Sequence, residues 1–231
     1  AAQPVVLTSI HDDSVGGDTN QNGAATVAAV NQWYGMSFGI GSDASSLTYT
    51  DVRCTGWGNW SCATIDSANP AFDHCRFSDG GYGGMAVSAS SRPTVSDCDF
   101  QRIASVPAMY GFVFDALAGL SHNTATNCSG GNFLRLDTPA PVASCTVRPE
   151  NVIGGVLVYN MSPSIPTGVT LTLDPGLVLK AYSPRTFVVD GNLVVNGPVV
   201  FTSFHDDVSR PSTTIISSSR RRPERAAGPS F

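Results

Sequence analysis

Short runs of alternating apolar and polar residues, separated by Gly, Pro, Asn, Asp and Ser, fill most of this 231-residue chain. One pattern occurs three times at a step of 23 residues: Leu47-Thr48-Tyr49-Thr50-Asp51-Val52-Arg53-Cys54, Pro70-Ala71-Phe72-Asp73-His74-Cys75-Arg76-Phe77 and Pro93-Thr94-Val95-Ser96-Asp97-Cys98-Asp99-Phe100. In each copy the first, third, sixth and eighth positions are apolar, so two short strands of period two meet at a two-residue corner. A period in the low twenties with strand alternation predicts a solenoid wound coil by coil.

Looser copies extend the winding. Leu120 to Ala125 matches Val95 to Phe100 at a step of 25, and Val142 to Val147 follows 22 residues later. A second strand column is predicted at Met36-Ser37-Phe38, Cys62-Ala63-Thr64, Met85-Ala86-Val87, Phe112-Val113-Phe114 and Phe133-Leu134-Arg135-Leu136. Each coil then contributes about three strands, stacked at about 4.8 Å on the next. Strands stacked this way are parallel, and their inward residues form apolar ladders. The predicted fold is all-β, a parallel β-helix of about 23 residues per coil, and no helical periodicity competes with it. Beyond Thr167, short strands between Pro175-Gly176, Asp190-Gly191 and Asn196-Gly197 turns continue the winding.

A longer echo joins the two ends of this region. Pro4-Val5-Val6-Leu7-Thr8-Ser9-Ile10-His11-Asp12-Asp13 recurs as Pro198-Val199-Val200-Phe201-Thr202-Ser203-Phe204-His205-Asp206-Asp207, identical at eight of ten positions across a step of 194. The chain therefore spans about one super-period of a longer repeating architecture. Residues 1–207 are expected to form one β-helix domain with a loop excursion at 11–32, and residues 208–231 a disordered Ser/Arg/Pro-rich tail.

Charge sharpens this picture. The net charge is −5, but the tail carries five Arg and one Glu, so the preceding body stands at −9. An acidic body argues against a nucleic-acid partner. Its acids are almost all Asp, which suit turns and hard cations. No apolar run approaches membrane-spanning length. None of the six cysteines forms a CxxC pair, which argues against a zinc or thioredoxin-like motif. Cys75 and Cys98 fall on inward columns as small apolar fillers. Cys54 and Cys62 bracket a Gly/Trp loop, and two readings stand: a disulfide in an oxidising compartment or a pair of free thiols.

Thr8-Ser9-Ile10-His11-Asp12-Asp13-Ser14-Val15-Gly16-Gly17-Asp18-Thr19-Asn20 resembles a motif of large secreted bacterial proteins built from right-handed parallel β-helix repeats. In those proteins a Gly-Asp-Trp-Gly-Gly-like segment re-enters the helix. Here that place is taken by Asn31-Gln32-Trp33-Tyr34-Gly35-Met36, which departs from the pattern at several positions. Leu173 to Lys180 and Gly191 to Gly197 are similar to the lead-in of such repeats. The resemblance implies right-handed winding and an extracellular or cell-surface setting. It implies no activity, because the fold carries lyases, hydrolases, adhesins and passive spacers alike.

Two constellations carry candidate chemistry. Asp18-Thr19-Asn20-Gln21-Asn22-Gly23 satisfies the opening of a calcium loop, with alternate oxygen ligands and a glycine at the sharp turn. The twelfth position is Ala29 rather than Glu, so this is no EF-hand, and Asp12 and Asp13 are the nearest further ligands for a structural Ca2+. A polar loop of turn formers without metal is the plainer alternative. The repeat itself supplies the second constellation, a corner column read as Asp51, His74, Asp97, His122 and then Ser144. Imidazoles between carboxylates suit general acid/base catalysis or a transition metal, although ladder charge pairing explains the same residues.

His11-Asp12-Asp13 and its copy His205-Asp206-Asp207 read as a turn-closing element. Trp57, Trp60 and Tyr82 lie in Gly-rich loops and form a candidate platform for sugar rings. The leading expectation is a calcium-stabilised scaffold or glycan-binding segment. The alternative is a polysaccharide lyase or hydrolase using the Asp/His column, with Arg53 and Arg76 beside it. Unprotected coil edges further predict end-to-end homo-oligomers.

Overall fold

In the computed structural model, residues 4–137 and 140–207 are described; the expected tail at 208–231 lies outside them. Parallel pairing runs throughout. One sheet stacks Val5–Leu7, Thr50–Arg53, Arg76–Ser78, Asp99–Gln101 and Thr124–Thr126. A second stacks eight strands: Met36–Phe38, Ala63–Ile65, Met85–Val87, Met109–Phe112, Leu134–Leu136, Val156–Tyr159, Val178–Ala181 and Val200–Ser203. A third holds Ser46–Thr48, Ala71–Asp73, Thr94–Ser96 and Leu120–Ser121. Towards the end of the winding, Cys145–Val147, Thr170–Leu173 and Asn192–Val195 make one sheet, and Ser164–Ile165 with Val188–Val189 another.

The core follows from the alternation. Leu47, Phe72, Val95 and Leu120 form one inward ladder, and Val52, Phe77, Phe100 and Ala125 the next. Phe77 and Phe100 lie stacked at 5.1 Å, while Phe72 meets Phe77 edge-on at 5.8 Å. Such pairs add stabilisation beyond the apolar area that they bury. Gly111 sits where the Met109–Phe112 strand shifts register; its φ is +90°, and a Cβ there would lie 2.2 Å from the Val87 carbonyl oxygen.

The structure corrects the spacing of the first coil. Leu47 pairs with Phe72 and Val52 with Phe77, a step of 25 rather than 23. Phe72 to Val95 and Phe77 to Phe100 keep the step of 23. A slip of two residues leaves every side chain on the same face of a period-two strand, so the apolar pattern could not reveal it. The Cys62 column is likewise off by one, since Ala63 is the residue opposite Met36.

Third-sheet strands turn into first-sheet strands through a residue with left-handed backbone: Tyr49 (φ 47°), His74 (51°), Asp97 (51°) and His122 (53°). The residue after each corner points inward, giving a column of Thr50, Cys75, Cys98 and Asn123, of which Asn123 ties the coils together. Its Oδ1 accepts from the Cys98 N–H at 3.0 Å, and its Nδ2 donates to the Val95 carbonyl at 2.8 Å. Asn151 repeats the second bond one coil later, donating to Leu120 at 2.7 Å. Asn123→Ala orphans two buried backbone groups, each costing about 1–3 kcal/mol. Denaturant unfolding should therefore show a loss of about 3 kcal/mol, and Asn123→Leu, which keeps the volume, should not recover it; recovery would mean that packing and not the amide matters.

Candidate functional site

The corner column is real in geometry but differs in membership. His74, Asp97 and His122 stand one above another, each N–H donating to the next coil: His74 to Ser96, Asp97 to Ser121, His122 to Glu150. Tyr49 takes the place expected for Asp51, donating its N–H to Asp73. Beyond His122 the column does not continue to Ser144: the His122 N–H reaches the Glu150 carbonyl in the 3-10 turn Pro149–Asn151, 28 residues on, where the earlier corner N–H groups reach 24, 22 and 24 residues on. Left-handed backbone favours Asn, Asp and His among non-glycine residues, which explains why the column reads Asp/His. Chemistry is not required to account for it.

Asp51 lies two residues further on, buried in the next strand. Its Oδ2 pairs with Arg76, and Arg53 Nη1 lies 3.7 Å away. It thus stands outside the corner column of His74, Asp97 and His122, with its charge matched by guanidinium. What the structure adds is Asp73. Its Oδ2 lies 3.0 Å from His74 Nδ1, and its Oδ1 accepts from Ser96 Oγ at 2.7 Å. The Ser96 hydrogen bond, then that of His74, holds the Asp73 carboxyl below the usual range. One ligand atom each of Asp73, His74 and Asp97 lies within 4.8 Å of the others. The column reading missed Asp73 because it followed corner residues alone; its adjacency to His74 was the available signal.

The calcium-loop residues divide into two groups. Asp12 is a strut. Its Oδ2 accepts from Thr8 Oγ1 and Arg53 Nε, both at 2.7 Å, and its Oδ1 from Ser14 Oγ at 2.6 Å. Arg53 Nη2 reaches the same carboxylate at 2.6 Å and Ser14 Oγ as well. Its oxygens are engaged by protein donors and its charge is matched by Arg53, unlike the open oxygens elsewhere in the loop. Asp18 is folded around its own turn, Oδ1 accepting from the Asn22 N–H and Oδ2 from the Gly23 N–H. Asn20 and Asn22 both donate through Nδ2 to Thr26 Oγ1, at 3.2 and 2.9 Å, and His11 Nδ1 lies 3.2 Å from that hydroxyl. Thr26 is thus the hub of the excursion, a role that the sequence pattern did not suggest. The Oδ1 atoms of Asp13, Asn20 and Asn22 are buried without a hydrogen-bond partner.

Beyond the excursion the chain rejoins the coils at Trp33, whose indole N–H donates to the Arg53 carbonyl at 2.7 Å. An aromatic ridge begins beside it. Trp57 and Trp60 are 56% and 41% exposed, as the platform requires, while Tyr82 is half-buried. Three further residues join them. Tyr34 meets Trp60 edge-on at 6.0 Å, Tyr110 meets Tyr82 at 6.4 Å, and the Arg135 guanidinium lies 5.4 Å from the Tyr110 ring centre. The thiols of Cys54 and Cys62 are free and buried. Thr55 donates to Cys62 Sγ, and burial pushes that thiol up to about 12, the behaviour of an unreactive filler. A concavity of about 810 Å³ lies elsewhere, lined by Phe133, Lys180, Phe204 and His205; its lysine donates to the Asp206 carbonyl.

The Asp12–Arg53 strut yields a prediction. Burial raises the Asp12 carboxyl, but hydrogen bonds from Ser14, Thr8 and Arg53, with the Arg53 charge, outweigh it and leave the carboxyl below its ordinary value. A carboxyl held low by folding contributes stability that is complete above 3.8 and is lost as pH falls from there through the folded value. Arg53→Ala should cost about 3 kcal/mol near neutral pH, because it leaves a buried carboxylate unpaired. The gap between variant and parent should narrow as pH drops below 3.8; a gap independent of pH would show that the charge contributes nothing.

No curated protein and no solved structure matches this chain. A family model described as the right-handed beta helix region matches residues 15–162, from the excursion through the eight-stranded sheet's sixth strand. The stacked parallel sheets, their turning corners and this match agree, and the chain belongs to the right-handed β-helix family.

Proposed function

We propose that this chain is a non-catalytic scaffold segment whose excursion is pinned by a structural Ca2+ and whose aromatic ridge receives a glycan. The observation that carries the calcium reading is the trio of buried, unpartnered oxygens on Asp13, Asn20 and Asn22 within one loop. Buried polar atoms without partners are rare in folded proteins and commonly mark an ion or a water. All three are hard oxygen donors of the kind that Ca2+ takes six to eight at a time. Asp18, whose carboxylate already accepts two backbone N–H groups, has lone pairs left to complete the set. Asp12 belongs to the strut behind the site.

Calcium sites of extracellular modules work at the millimolar calcium outside cells, in keeping with the extracellular or cell-surface setting that the secreted-repeat resemblance implies. There the ridge of Tyr34, Trp57, Trp60, Tyr82 and Tyr110 offers flat apolar faces to sugar rings. Arg135 and Asp137, held together at 2.7 Å, flank it with polar groups for hydroxyls. The acidic body makes a neutral or cationic polysaccharide the better partner than a polyanion.

Calcium chloride at about a hundred times the dissociation constant should raise the melting temperature by roughly 5–10 °C, and chelator should reverse it. Asn20→Ala with Asn22→Ala should abolish the shift. No shift in the parent, with no calcium by elemental analysis, would remove the calcium reading. For the glycan, electrophoresis through gels containing neutral polysaccharides should show retardation that Trp57→Ala and Trp60→Ala relieve. Equal mobility of parent and variants in every gel would discard the ridge as a binding face.

A further inference from the structure

We propose that Asp73, His74 and Asp97 form a second, chemically different metal site, one for a borderline divalent ion such as Zn2+ or Co2+. The donors are one imidazole and two carboxylates from adjacent coils, the set that Zn2+ and its neighbours accept and the all-oxygen preference of Ca2+ does not. Asp73 Oδ2 and His74 Nδ1 stand 3.0 Å apart. Two donors bound at about 2.1 Å across a tetrahedral angle are separated by about 3.4 Å, so the pair has only to open by a few tenths of an ångström to admit the ion. One atom of Asp97 lies within 4.8 Å of both, so a rotation of its short side chain closes the third bond.

The ligands are also held in place. Ser96 donates to Asp73 Oδ1 at 2.7 Å and leaves Oδ2 facing the imidazole. The Tyr49 ring covers one face of His74, 5.0 Å between centres and 31° between planes. Left-handed backbone at both His74 and Asp97 throws their side chains outward at the same corner of successive coils. The site is open to solvent, with His74 and Asp73 side chains 46% and 43% exposed, so water supplies the remaining ligands and an ion enters without opening the core. A bound ion would add a bridge between two coils that the Ser96–Asp73 hydrogen bond and the His74 N–H to Ser96 bond already join at this corner.

Isothermal titration of the full chain with ZnCl2, calcium held in excess, should show one ion bound. His74→Asn and Asp97→Asn both keep a residue suited to left-handed backbone, so they should fold. Each should weaken binding by at least about tenfold, since even outer-shell partners of metal ligands are worth that much. His122→Asn, one coil further, should not. With CoCl2 the visible d–d bands should appear without a sulfur-to-cobalt charge-transfer band. Absence of uptake by the parent, undiminished binding in His74→Asn, or a thiolate band pointing to the cysteines would each overturn the proposal. Because calcium stays saturating, failure here leaves the excursion site unaffected, and the two readings fall separately.

Discussion

The fold depends on coils stacking in register through backbone hydrogen bonds, with a left-handed residue turning the strand at two corner columns of the earlier coils. A non-glycine residue in that conformation costs about 1 kcal/mol. The cost recurs at Tyr49, His74, Asp97 and His122, and again at the second corner of Cys54, Asp79, Arg102 and Asn127. It is offset by the ladders that the corner makes possible: strand pairing on both sides, an inward stack of phenylalanines, and the Asn123 and Asn151 amides that satisfy carbonyls left behind by the turn. Once the corner is fixed, so is the direction of every neighbouring side chain.

The two candidate metal sites arise from that constraint in different ways. At the His74 corner the winding itself creates the cluster, by repeating short polar residues where the backbone turns. In the excursion the winding is suspended, and the chain must satisfy its own polar groups through Asp18, Thr26 and the Asn amides. The excursion is fastened to the coils by Arg53, which serves Asp12 and Ser14 together, and by the Trp33 indole. The first gathers its donors at the surface of two stacked coils, whereas the second leaves oxygens without partners.

The architecture was legible because alternation and period are long-range signals that many residues share. Register was less so. Leu47 and Tyr49 are both apolar and two residues apart, so the sequence pattern did not show that Leu47 is the inward residue and Tyr49 the exposed corner, and a two-residue error in the first coil moved Asp51 into the wrong column. The longer coil after His122 escaped for another reason. Short 3-10 turns at Phe114–Gly119 and Pro149–Asn151 replace strand in those coils and break the alternation that set the spacing. Asp12 was visible as an acid, but its partner lies 41 residues away, a distance that no local motif encodes.

The two copies of the ten-residue motif build the same turn: Thr8 donates to Asp12 at 2.7 Å and Thr202 to Asp206 at 2.6 Å, with Ser9 and Ser203 accepting from the following histidine N–H. Yet Val5–Leu7 belongs to the five-stranded sheet and Val200–Ser203 to the eight-stranded one. The motif therefore works like a hinge plate that fits more than one wall of a building. It states how the chain leaves a strand but not which side of the solenoid it leaves from. That side is decided by the lengths of the intervening coils, so a change of a few residues in one of them would re-aim a loop without altering a single residue of the loop itself.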